Sequence, residues 1–83
     1  MVPLGDLTQG KIGLIHTLNG GRRFVSRLAS LGFTPGASVT VMRNYGSGPI
    51  IVSVRGAQVA LGRGEAHRIL VHPAEELHDF PND

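Results

Sequence analysis

Short stretches rich in Val, Ile and Leu alternate with polar residues along most of the chain, and glycines separate one stretch from the next. Such alternation is typical of β-strands with one buried face. The pattern predicts five strands, at residues 11–18, 38–43, 50–55, 58–61 and 68–71. Strands this short, divided by frequent glycines, indicate a mainly β fold in the form of a small antiparallel barrel.

One segment, between the first two strands, has helical periodicity instead. From Arg22 to Leu31, the apolar residues Phe24, Leu28 and Leu31 recur at the spacing of one helix face. Gly32 follows where a left-handed residue commonly ends a helix. The sequence therefore predicts one α-helix inserted after the first strand.

Two turns are predicted from their residues. Pro35 and Gly36 suit the central positions of a type II turn, because proline presets φ at the first and glycine accepts positive φ at the second. Gly56 and Ala57 are expected to form a two-residue hairpin loop between the third and fourth strands.

The predicted core takes the apolar residues from one face of each element: Ile12, Leu14, Phe24, Leu28, Leu31, Val39, Val41, Val52, Val54, Val59, Leu61, Ile69 and Val71. Phe33 stands between the helix and the following turn. Its side chain either fills one end of the barrel or is exposed as a docking contact, and we include it among the candidate partner-binding residues.

The composition fits a single small folded domain. Of the 83 residues, 41% are hydrophobic and 17% are charged, which is too apolar for a disordered chain. The chain has no cysteine, which excludes disulfides and thiolate metal sites. No apolar run approaches the roughly 20 residues that span a bilayer, and the first residues do not resemble an export signal. We therefore expect a cytoplasmic protein.

Charge divides the chain into a basic body and an acidic tail. Residues 1–73 contain all eight basic residues and only two acidic ones, which gives a formal charge of +6, whereas residues 74–83 contain four acidic residues and no base. Seven of the eight bases are arginine, which favours bidentate contacts with carboxylates or phosphates. The body at 1–73 is the predicted domain, and it should bind an acidic partner or its own tail at 74–83.

Arginines of the predicted helix are the first candidates for partner binding. Arg22 and Arg23 lie in the first turn, where the helix dipole disfavours a cation. Arg23 and Arg27 are four residues apart and share a face, so together they can present guanidinium groups to carboxylates of a partner. Alternatively, these arginines are solvated or bind Glu65 or the acidic tail.

Histidines and carboxylates near the C-terminus are the candidate metal ligands: His72, Glu75, Glu76, His78 and Asp79. Imidazole and carboxylate groups bind divalent ions, and zinc binds such a set more tightly than ferrous iron. No rigid element anchors this segment, so we expect at most weak binding of zinc or iron, with no tightly bound cofactor and with metal bridging two chains at high concentration. The alternative is an acidic tail without metal. His16, on the predicted inner face of the first strand, is interpreted as a core or strand-edge residue.

Several motifs, taken in their order, resemble the FeoA family: Gly10-Lys11-Ile12, Arg22-Arg23, Arg27-Leu28, Leu31-Gly32-Phe33-Thr34-Pro35-Gly36, Val39-Thr40-Val41, and Gly62-Arg63-Gly64-Glu65-Ala66 before Ile69. The resemblance extends from about residue 7 to residue 71. It implies an SH3-like barrel and a cytoplasmic accessory protein of bacterial ferrous iron uptake, which binds and modulates the membrane permease FeoB. Arg63, within the last motif, is a further candidate for partner binding.

Other classes of function compete with this one. A small basic barrel can bind RNA, but base stacking needs exposed aromatic rings, and the chain has only four aromatic residues, so nucleic acid is not expected. A similar fold occurs in iron-dependent repressors, which leaves a divalent-metal-responsive regulatory domain as a second alternative. The sequence contains neither a nucleophile elbow nor a phosphate-binding loop, so we expect no enzyme activity.

Overall fold

The computed structural model describes residues 1–75, which contain six β-strands and two α-helices. In chain order the elements are β1 (Val2–Pro3), a 3₁₀ turn (Leu4–Asp6), β2 (Ile12–Leu18), α1 (Arg22–Ser30), β3 (Ser38–Arg43), β4 (Ile50–Val54), β5 (Ala57–Leu61), α2 (Arg63–His67) and β6 (Ile69–Pro73). None of the helices in this range is long and apolar enough to cross a membrane.

The strands form one antiparallel sheet in the order β1-β6-β2-β3-β4-β5. This confirms the predicted mainly β fold with its inserted helix, although the sheet has one strand more than the five expected. The additional strand is β1, whose Val2 and Pro3 pair with Val71 and Leu70. Two residues are too few for alternation to reveal a strand.

The inner face of β2 differs from the prediction. Gly13 and Ile15 are buried, whereas Ile12 is 42% exposed. Gly13 leaves room for Val71, because a Cβ added to Gly13 would lie 2.8 Å from that side chain. A β-bulge after Ile15 then shifts the register, so Leu18 packs against the same core. The alternation predicted that the face with Ile12 and Leu14 is buried, because it has more apolar side chains. The face that is buried contains Gly13, which has no side chain to indicate burial.

The core on the other elements is close to the prediction. The predicted residues that are buried are Leu28, Val39, Val41, Val52, Val54, Leu61, Ile69 and Val71, with Phe24 and Val59 packed partly against them. Leu31 is 41% exposed and does not belong to the core, and Leu14 is only half-buried. The prediction omitted Leu4 and Leu7, which are buried at the 3₁₀ turn beside α2 and β6.

The C-terminal end of α1 determines the position of Phe33. The N–H of Gly32 donates to the carbonyl of Ala29, the N–H of Phe33 donates to the carbonyl of Leu28, both at 3.0 Å, and Gly32 has a φ of 104°. This is the Schellman motif, in which the residue after the glycine packs against the last turn of the helix. Phe33 and Leu28 are both 0% exposed. The interpretation of Phe33 as an exposed docking contact is therefore wrong, because the helix cap directs its ring into the core.

The turn after Phe33 has the predicted type II geometry. The N–H of Ala37 donates to the carbonyl of Thr34 at 2.9 Å, and Gly36 has a φ of 89°. Proline and glycine thus occupy the two central positions that their backbone preferences suit. The turn leads directly into β3, whose predicted limits of 38 and 43 agree with the structure.

The hairpin loop between β4 and β5 consists of Arg55 and Gly56, one residue earlier than predicted, because Val54 pairs with Ala57. Both loop residues have positive φ, 49° and 82°, as a type I′ turn requires. Arg55 is the only non-glycine residue with positive φ between residues 1 and 75. Its Nε donates to the carbonyl of Gly32 at 3.2 Å, so the hairpin is tied to the end of α1.

Candidate functional site

An arginine-rich surface lies on α1 and on the residue before β6. We call it the α1 basic surface, and its four exposed members are Arg22, Arg23, Arg27 and Arg68. The first turn of α1 contains no acidic residue, and its N-cap, Gly21, has no side chain to accept a hydrogen bond. The charges of Arg22 and Arg23 therefore add to the positive end of the helix dipole, and this part of the surface favours an anionic group.

Arg27 joins α1 to α2 through an ion pair with Glu65. The other carboxylate oxygen of Glu65 accepts a hydrogen bond from the N–H of Gly62 at 3.0 Å. This hydrogen bond, followed by the contact with Arg27, holds the pKa of Glu65 below its ordinary value. One of the alternatives open from the sequence, that a helix arginine binds Glu65, is thus realised for Arg27. By contrast, neither Arg22 nor Arg23 pairs with a carboxylate within residues 1–75.

Arg68 stacks on the ring of Phe24. The guanidinium carbon lies 5.6 Å from the ring centroid, which is the range of a cation–π contact. Phe24 in turn covers Gly20, where an added Cβ would lie 2.4 Å from the ring. The half-buried ring therefore positions Arg68 beside α1 and keeps its charge at the surface.

Arg63 takes part in a hydrogen-bond network within the fold. Its side chain is half-buried, with Nε donating to the carbonyl of Gly48 at 3.1 Å and an Nη donating to Oδ1 of Asn44 at 2.8 Å. The amide of Asn44 then donates to the carbonyls of Gly5 and Leu7 at 3.1 and 2.8 Å. This network links α2, the β3–β4 loop and the 3₁₀ turn. These hydrogen bonds give Arg63 a role in the fold, and its assignment as a partner-binding residue stays a prediction.

The candidate metal ligands are not gathered into one cluster. Outside the described residues lie Glu76, His78 and Asp79. The carboxylate of Glu75 pairs with Nζ of Lys11 at 3.1 Å. His72 instead contacts His16, a residue outside the predicted set of ligands. Within residues 1–75, no group of three or more His, Cys, Asp or Glu side chains is arranged to hold a metal ion.

Comparison of the sequence and the fold with known proteins shows which family this chain belongs to. A model of the FeoA domain matches residues 2–73. The chain belongs to the FeoA family.

Individual FeoA relatives agree with this assignment. "Putative Fe(2+) transport protein A" of Methanocaldococcus jannaschii is 36% identical over 75 residues, which cover 90% of each chain. A crystal structure of Iron Uptake Regulatory Protein (FeoA) is 39% identical, with a TM-score of 0.81 over 87% of this chain and 96% of that one. FeoA of Stenotrophomonas maltophilia, solved with zinc and described as an SH3 domain protein, is 25% identical, with a TM-score of 0.75 over 86% of this chain and 89% of that one. The similarities confirm the SH3-like fold and the link to ferrous iron transport.

Proposed function

We propose that this FeoA protein is a cytoplasmic, non-enzymatic accessory protein that binds and modulates the cytoplasmic part of the permease FeoB. The observation that carries the proposal is the FeoA domain match over residues 2–73, supported by the similarity to an iron(II) transport protein. Eight basic residues and three acidic ones give residues 1–75 a formal charge of +5. A basic domain of this kind associates fastest with an acidic surface, although the three acidic residues after residue 75 reduce the formal charge of the full chain to +2.

The α1 basic surface is the proposed contact with FeoB. Arg27 is already paired with Glu65 and Arg68 rests on Phe24, so Arg22 and Arg23 are the members best able to bind carboxylates of a partner. Guanidinium groups bind carboxylates with two parallel hydrogen bonds, which gives both attraction and orientation.

A protein partner suits this surface better than RNA. Tyr45 is 74% exposed, whereas the ring of Phe24 is half-buried and Phe33 is completely buried. Tyr45 is therefore the only well-exposed aromatic residue in the described part of the chain. Single-stranded RNA is held largely by stacking of bases on several exposed rings.

Any divalent metal is proposed to bind weakly and to exchange with solvent rather than to act as a resident cofactor. The zinc complex of the S. maltophilia relative supports an affinity of this kind. The tail ligands Glu76, His78 and Asp79 stay a prediction. To bind a metal ion, the carboxylate of Glu75 would first have to break its ion pair with Lys11.

The decisive experiment measures binding of the full chain to the immobilised cytoplasmic part of FeoB at about 0.1 M salt, where surface charges still act over roughly 10 Å. The variants are Arg22→Glu and Arg23→Glu, and the matched control is Arg43→Glu, an exposed arginine of β3 that changes the charge equally. We expect each α1 variant to weaken binding about three- to tenfold, which corresponds to about 0.7–1.4 kcal/mol, and the control to change it little.

Each negative result has its own meaning. Wild-type protein that fails to bind FeoB, or that binds single-stranded RNA more tightly under the same conditions, would contradict the proposed function. Equal losses in the α1 variants and in Arg43→Glu would contradict only the choice of surface, because they would report net charge.

A further inference from the structure

Two histidines from neighbouring strands meet on the sheet. Nε2 of His72 lies 3.1 Å from Nδ1 of His16, and the rings are T-shaped, with centroids 4.9 Å apart. His16 is exposed and His72 is half-buried, so the pair is accessible to an ion from solvent. The proposed contact with FeoB does not use either residue.

The register of β2 and β6 explains why these residues meet. Leu14 pairs with His72, and both lie on the face opposite the buried Ile15. His16 is two residues beyond Leu14, and the β-bulge that follows Ile15 leaves it outside the regular pairing. Diagonal neighbours on one face of a sheet lie within reach of ring side chains. The pairing of β2 with β6 therefore sets the position of His72, and the bulge in β2 sets that of His16.

We propose that Nδ1 of His16 and Nε2 of His72 form a two-imidazole site for a divalent transition-metal ion, and that zinc binds there in preference to ferrous iron. Zinc–nitrogen bonds of about 2.0–2.1 Å at a tetrahedral angle place two ligand nitrogens about 3.3 Å apart. The observed 3.1 Å separation is close to that value. The ion lies to one side of the line that joins the two nitrogens, and the rings tilt so that both lone pairs face it. The proton of their hydrogen bond moves to the other nitrogen of its ring.

Water completes the coordination. Glu75 follows His72 by three residues, but its carboxylate is paired with Lys11, and residues 1–75 hold no group of three metal ligands. A site with two protein ligands binds weakly, and imidazole nitrogens bind zinc more tightly than ferrous iron. This site rests on the weak metal binding proposed above. Its ligands lie on two strands instead of in the tail, and its existence does not depend on binding to FeoB.

Calorimetric titration of the full chain with zinc chloride tests the site. Because alanine could disturb the strands, glutamine is substituted as well, and thermal unfolding followed by circular dichroism checks the fold of each variant. We expect His16→Gln, His16→Ala, His72→Gln and His72→Ala each to weaken zinc binding at least tenfold. The matched control His67→Ala, at an exposed histidine of α2, should leave zinc binding unchanged.

Nitrogen NMR of the histidine rings identifies the ligand atoms directly. Zinc should shift the resonances of Nδ1 of His16 and Nε2 of His72, and each ring should carry its proton on the opposite nitrogen. Absence of zinc binding by wild-type protein would overturn the proposal. So would a folded His16 variant that keeps full affinity, or an affinity that falls only when Glu76 and His78 are replaced. The last result would restore weak binding by the tail, and none of them alters the test against FeoB.

Discussion

Replacing Phe33 by alanine removes the largest fully buried side chain among the described residues. Phenylalanine-to-alanine changes in a core typically cost about 3–5 kcal/mol, because the lost burial is compounded by a cavity. Small domains are stable by only about 5–15 kcal/mol, so this loss is a large fraction of the total. At about 4 °C or more per kcal/mol for a domain of this size, the melting temperature should fall by at least about 12 °C.

Urea unfolding followed by circular dichroism measures the effect against a matched aromatic control. Tyr45 is 74% exposed, and Tyr45→Ala should change the free energy of unfolding by about 0.5 kcal/mol or less. Phe33→Leu keeps most of the apolar volume and should cost only about 1 kcal/mol, so the series is informative even if the alanine variant does not fold. If Phe33→Ala unfolded at the same urea concentration as Tyr45→Ala, the ring would not be part of the core, and a docking role would again be reasonable.

Two further predictions concern close packing and pH. Gly13→Ala places a Cβ 2.8 Å from the nearest side-chain atom of β6 and should lower the free energy of unfolding by about 1–3 kcal/mol. The control Gly64→Ala lies in open space on α2 and should be neutral or stabilising. Equal urea midpoints for the two variants would show that β2 packs differently. The hydrogen bond from Gly62, followed by Arg27, lowers the pKa of Glu65 below 4.5, so its contribution to stability is present above that pH and is lost as the pH falls through the lowered value. The difference between wild type and Glu65→Gln should therefore shrink in acid, and a difference independent of pH would contradict the assignment.

Elements whose limits depend on near neighbours in the chain were predictable from the sequence. The apolar spacing along residues 22–31 and the glycine that follows were sufficient for α1 and its C-terminal cap. The burial of Phe33 had a local signal too. A residue placed directly after a Schellman glycine packs against the helix end, and that rule favours the core over a docking surface.

Features that depend on contacts distant in sequence were not predictable in this way. Which face of β2 is buried depends on Gly13 meeting β6, and a glycine carries no apolar signal. Arg63 lies in a polar, glycine-rich motif that suggests exposure, yet its hydrogen-bond partners Gly48 and Asn44 are 15 and 19 residues away. His16 and His72 are separated by 56 residues and meet only because β2 pairs with β6. The close spacing of histidines and carboxylates along the chain therefore predicted a metal site in the tail and not on the strands.

Arg68, a member of the α1 basic surface, and His72, a member of the proposed zinc site, lie at opposite ends of β6. Their separation limits how far an ion at His16 and His72 can influence partner binding. Arg68 precedes the strand and His72 lies four residues further on, which at about 3.3 Å per residue is about 13 Å. The Debye length at physiological ionic strength is about 8 Å, so the charge of an ion at the histidines is largely screened at Arg68. Zinc should therefore change the affinity for an acidic surface very little through charge alone. A strong metal dependence of FeoB binding would instead point to an ion shared between two chains, since the open coordination positions at this pair can accept ligands from a second copy.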